Sequence, residues 1–69
     1  MWSAEITNDP TNDYDLYVEL LENEIYKGRL ALNDAGQLVL TLYPSETHTR
    51  MPIDWLEEII KRARKDLKG

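Results

Sequence analysis

From position 16 onward, apolar side chains fall on alternate residues. In Leu16-Tyr17-Val18-Glu19-Leu20 the apolar positions 16, 18 and 20 enclose Tyr17 and Glu19, the period-two signature of a half-buried strand. Taking Glu22-Asn23-Glu24 as a loop predicts a second strand that sets Leu20 beside Tyr26, Val18 beside Gly28 and Leu16 beside Leu30. The opposite face then pairs Glu19 with Lys27 and Tyr17 with Arg29, so both faces are chemically sensible together.

A second turn carries a stronger signal. In Asp34-Ala35-Gly36 the glycine occupies the third loop position, where a bulged hairpin turn needs the left-handed conformation. That loop predicts Leu32 with Leu38, Leu30 with Leu40 and Gly28 with Leu42 on the inner face, and Arg29 with Thr41 and Ala31 with Val39 outside. The side chain missing at Gly28 predicts a bulky group from a covering layer above it, Trp55 or Ile59.

The ends of the chain read differently. Trp2, Ala4 and Ile6 alternate as in an edge strand, although residues 1 to 13 could equally form a flexible arm. Residues 8 to 13 are a turn-forming cluster and predict a loop. After Pro44, residues 47 to 51 suggest a short strand. Asp54 with Glu57 three positions later is a capping-box pattern, and Trp55, Leu56, Ile59, Ile60, Ala63 and Leu67 recur at helical spacing over residues 54 to 68.

The expectation is an α+β fold: a three- to four-stranded antiparallel meander over residues 14 to 43, with one C-terminal helix packed on one face. Its core is predicted as Leu16, Val18, Leu20, Leu30, Leu32, Leu38, Leu40, Leu42, Leu56, Ile59, Ile60 and Ala63. At 69 residues the chain has room for a single small domain.

Composition then narrows the chemistry. There is no cysteine and one histidine, His48, which excludes disulfides and thiolate metal sites. Glycine occurs only at 28, 36 and 69, so there is no phosphate-cradling loop. No nucleophile and base stand at a spacing that would hold them together, and the acids around Asp9, Asn12, Asp13 and Asp15 lack the glycine and distal glutamate of a calcium loop. The expectation is therefore no enzyme, no cofactor and no metal. The N-terminus has no basic segment followed by an apolar one, so the chain reads as cytoplasmic, with no membrane association.

The charge is unevenly laid out. Residues 1 to 26 carry seven acids and no lysine or arginine, whereas residues 61 to 68 carry five bases against Asp66. Such acids keep a small protein soluble, and such bases complement a helix C-terminus. An acidic lobe also attracts basic protein surfaces and repels nucleic acid.

The leading expectation is a small acidic protein that binds a larger protein stoichiometrically and occludes a basic, nucleic-acid-binding surface. That strategy is open to phage-type inhibitors of host defence and to immunity proteins. Asp13, Asp15, Glu19, Glu22 and Glu24 would supply charge, and Tyr17 an anchor. One alternative is a single-stranded nucleic-acid-binding module using Tyr17, Tyr43, Lys27 and Arg29. The other is a structural subunit or homodimer formed through an open sheet edge.

Overall fold

The alternating segments form four antiparallel strands, β1 (Trp2–Asp9), β2 (Asp15–Glu22), β3 (Ile25–Leu32) and β4 (Leu38–Leu42), followed by one helix, α1 (Ile53–Asp66). The strands lie side by side in chain order, so β1 and β4 are the two edges. The structure is a computed structural model that describes residues 1–9 and 15–67. The α+β architecture is the one the pattern predicts. Among the described residues, no helix is long and apolar enough to cross a membrane.

The N-terminal segment is an edge strand of the sheet. It pairs along its whole length with β2, Ala4 opposite Leu20 and Ile6 opposite Val18. Its first residues are fastened further: the Asn23 N–H donates to the Met1 carbonyl at 3.0 Å, and the Trp2 indole N–H donates to the Arg50 carbonyl at 3.1 Å. The Trp2 ring also meets Trp55 of α1, centroids 5.6 Å apart and tilted by 41°. Asn8 and Asp9, expected in a loop, continue the strand, and the rest of that loop, with Asp13, lies outside the described residues.

The register of β2 against β3 differs from the expected one by two residues. Val18 faces Leu30, Glu19 faces Arg29 and Leu20 faces Gly28. One residue of the difference comes from the turn, which is a two-residue Asn23-Glu24 connection with φ of 51° and 69°, the primed geometry that suits the twist of a hairpin. The other comes from a bulge between Leu20 and Leu21, which leaves Lys27 as the extra residue. Each change alone would exchange the two faces, and together they restore parity. Beyond the bulge, Val18, Leu20 and Leu30 therefore share the buried face, as the alternation requires. Between turn and bulge the parity is reversed, so Tyr26 lies opposite Leu21 and Ile25 opposite Glu22.

Glu24 holds a left-handed conformation in which a side chain costs about 1 kcal/mol or more and glycine costs little. Glu24→Gly should therefore stabilise the protein by about 1 kcal/mol, read as a higher midpoint in urea denaturation with an unchanged slope. A lower midpoint would show that the glutamate side chain contributes to the fold.

The β3–β4 hairpin has the expected register throughout, from Leu32 opposite Leu38 to Gly28 opposite Leu42. Gly36 takes the left-handed conformation at φ 77°. Asn33 fastens the loop, its side-chain oxygen accepting from the N–H groups of Ala35 at 3.0 Å and Gln37 at 2.9 Å.

Three expectations are corrected on the helix side. Residues 47–51 form no strand and instead carry the chain across to α1. The helix begins one residue early, with Pro52 as N-cap and no side-chain cap, so Asp54 is an acid in the first turn rather than the capping residue. Proline has a fixed φ suited to that place, and its carbonyl accepts the first helical bond, from Leu56 at 3.0 Å.

At Gly28 the closest neighbour is the adjoining strand β4. A Cβ built there would lie 2.6 Å from the Thr41 carbonyl oxygen and 3.2 Å from Leu42 Cδ2.

The core is smaller than predicted. Val18, Leu20, Leu30, Ile59, Ala63 and Leu67 are buried together, with Trp2, Ala4, Leu38, Met51, Trp55 and Ile60 packed around them. Leu16, Leu32, Leu40 and Leu42, all expected inside, are exposed. A helix about 10 Å across covers roughly two strands spaced about 4.8 Å apart, so one helix leaves part of a four-stranded sheet bare.

Candidate binding face

The face of the sheet turned away from α1 gathers the polar side chains of the alternating pattern. Across its middle runs one row, Glu5, Glu19, Arg29 and Thr41, each residue opposite the next on the neighbouring strand. The second member is unusual. Glu19 is 8% exposed although no helix covers it, because aromatic and basic neighbours close over it.

A buried carboxylate must be hydrogen-bonded. The Tyr43 hydroxyl donates to Glu19, 2.9 Å from each carboxylate oxygen, and itself accepts from Arg29 Nε at 3.0 Å. The Arg29 guanidinium lies over the Tyr17 ring, 4.6 Å from its centroid, and 5.7 Å from that of Tyr43. The hydrogen bond with Tyr43 raises the Arg29 pKa above its ordinary value, against the opposing effect of burial and with further help from the Glu19 charge. Burial holds the Tyr43 hydroxyl above the usual tyrosine range, and the Glu19 carboxylate pushes it the same way while Arg29 opposes.

Beside this network, Glu5, Thr7, Tyr17, Glu19 and Tyr26 line a hollow of about 180 Å³. Glu5 and Tyr26 were not among the residues expected to bind a partner. The outward position of Glu5 follows from the alternation of Trp2, Ala4 and Ile6, once β1 is paired with β2. Tyr26 depends on the bulge.

The expected charge residues are spread along β2. Asp15 is exposed at its start, opposite Asp9, and Glu22 is half-buried at its end on the helix side, opposite Trp2 and Ile25. At about 3.3 Å per residue the length of β2 separates those two by roughly 23 Å. Glu24 is exposed in the adjoining turn, Tyr17 and Glu19 meet through Arg29 and Tyr43, and Asp13 is outside the described residues. The acids therefore form an edge of the molecule and not one end of it. β1 and β2 carry Glu5, Asp9, Asp15, Glu19 and Glu22 with no base, whereas β3 and β4 carry Lys27 and Arg29 with no acid.

The same geometry bears on strand-face nucleic-acid binding. Tyr17 and Tyr43, the expected stacking platforms, have Arg29 near their rings, and the Tyr43 hydroxyl is bonded to the Glu19 carboxylate. Base stacking needs an open ring face and a positive groove. Among the described residues, no three histidine, aspartate or glutamate side chains stand close enough to hold a metal ion. No protein-family model, curated protein or solved structure matches this chain.

Proposed function

We propose that this protein acts by stoichiometric binding, setting its acidic β1–β2 edge against a basic surface of a larger partner and occluding it. The observation that carries this reading is the placement of Glu5 directly opposite Glu19 on two strands that contain no lysine or arginine. Like charges facing each other across a sheet oppose folding. Glu24 supports the same reading, since a charged side chain occupies a turn position where glycine would be more stable. Glu19 is answered within the fold by Tyr43 and Arg29, so the carboxylates offered to a partner are the exposed Glu5 and Glu24.

Occlusion follows from electrostatics. A row of carboxylates along a rigid sheet edge offers negative charge to a channel that otherwise takes phosphates, and the field speeds encounter at low salt. The Tyr17–Arg29–Tyr43–Glu19 network stiffens the face that carries it.

The test is affinity capture from an extract of the source organism with the natural chain and with Glu5→Lys/Glu24→Lys. The expected result is a nucleic-acid-binding protein retained one to one, lost with the double variant and displaced by a duplex oligonucleotide. Retention that is indifferent to charge reversal, or to the oligonucleotide, would overturn the reading.

A further inference from the structure

At the opposite edge, β4 has no neighbouring strand beyond it among the described residues, and its own sequence carries no charge or proline to blunt it. Its ladder with β3 runs without a register shift. Val39 is 40% exposed, Leu40 39% and Leu42 50%, a concentration of apolar surface on a strand that, among the described residues, pairs on one side alone.

The direction of the free backbone groups can be read from the ends of the ladder. The Tyr43 N–H donates to the Lys27 carbonyl at 2.9 Å, and the Asn33 N–H donates to the Gln37 carbonyl at 2.9 Å. Antiparallel hydrogen-bonded pairs alternate, so Val39 and Thr41 turn their backbone groups toward β3, and Leu38, Leu40 and Leu42 turn theirs outward.

We infer that β4 is a self-pairing edge and that its occupant is a second copy of this chain, joined antiparallel about a two-fold axis at Leu40. The strand's pattern meets what that symmetry requires. Leu-x-Leu-x-Leu reads the same in both directions, so Leu40 meets its own copy, Leu38 meets Leu42 of the partner subunit, and Val39 meets Thr41 of the partner subunit. Both faces of the junction are then matched, with leucines continuing the helix-side face.

Charge selects this edge over the other. A second copy on β1 would set two acidic strands side by side, whereas β4 is neutral and the acids lie two strands away. In the resulting eight-stranded sheet both β1 edges are outermost, so self-association and the acidic edge do not compete. A junction of five residues a side is small, so the pairing is expected to be a weak, concentration-dependent one.

Sedimentation equilibrium from low micromolar to near-millimolar concentration tests the inference, with amide hydrogen exchange at both ends of the range. The mass should rise toward twice 8.1 kDa, and the amides of Leu38, Leu40 and Leu42 should exchange more slowly at high concentration, with those of Ala4 and Ile6 unchanged. Leu40→Lys should remain monomeric, as should Leu40→Glu, and an equimolar mixture of the two folded variants should regain the dimer mass by pairing opposite charges at the axis. A natural chain that stays monomeric throughout, or protection that appears on β1 instead, would overturn it. Because β1 is untouched by these variants, either result leaves the occlusion reading to its own test.

Discussion

Gly28→Ala should lower stability by about 2 to 3 kcal/mol, the upper part of the range for forcing one extra carbon into a packed site. The new methyl carbon would sit 2.6 Å from the Thr41 carbonyl oxygen, a backbone atom on the neighbouring strand. A flexible side chain could swing aside, but here β3 and β4 must move apart. A chain of 69 residues has a total stability of roughly 3 to 10 kcal/mol, so the loss is a large share of it. Thermal denaturation followed by circular dichroism should show the midpoint falling by about 10 to 20 °C. Amide exchange should quicken first at Arg29 and Thr41, the hydrogen-bonded pair where the two strands separate. A midpoint within a degree or two of the natural chain would mean that β3 and β4 do not approach as described.

Tyr43→Phe should cost about 1.5 to 3 kcal/mol, because it removes a single oxygen that serves two charged groups. Without that hydroxyl the buried Glu19 carboxylate loses the donor at 2.9 Å, and Arg29 Nε loses its acceptor at 3.0 Å. Most of the loss is the penalty for leaving a buried charge without that donor, so Glu19→Leu/Tyr43→Phe should recover much of it. Equal stability of Tyr43→Phe and the natural chain in urea would show that the network contributes nothing.

Alkaline pH probes the same bond. Burial raises the folded-state pKa of Tyr43 above its unfolded value. A tyrosine shifted this way contributes stability that is fully present below the unfolded value, near pH 10, and is lost as pH rises through the folded value. The natural chain should therefore lose stability above about pH 10 more steeply than Tyr43→Phe does, with a late tyrosinate step in the ultraviolet spectrum that the variant lacks.

How far these features can be read from the chain varies with the range of the interactions involved. The β3–β4 register is legible because a glycine at a fixed loop position sets it locally, and Gly36 is where that rule puts it. The β2–β3 register is not, because Asn23-Glu24 lacks the glycine that marks a two-residue turn and the bulge at Lys27 has no local signature. The Glu19–Tyr43 bond spans 24 positions of sequence and joins β2 to the residue after β4, so nothing local announces it. Leu40 and Leu42 look like core because alternation says which face a residue takes, but not whether anything covers that face.

By itself the chain determined β2, β3, β4 and the helix, their antiparallel order, the face of most strand residues and the concentration of acids in its first half. Those properties depend on neighbours along the sequence: periodicity, turn chemistry and the spacing of charges. Only the tertiary structure decided that Glu19 is buried beneath Arg29 and Tyr43, that the acids line one edge, and that β4 is left open. Each of these depends on which strands lie side by side and on how much sheet a single helix can cover, quantities set by packing between distant segments.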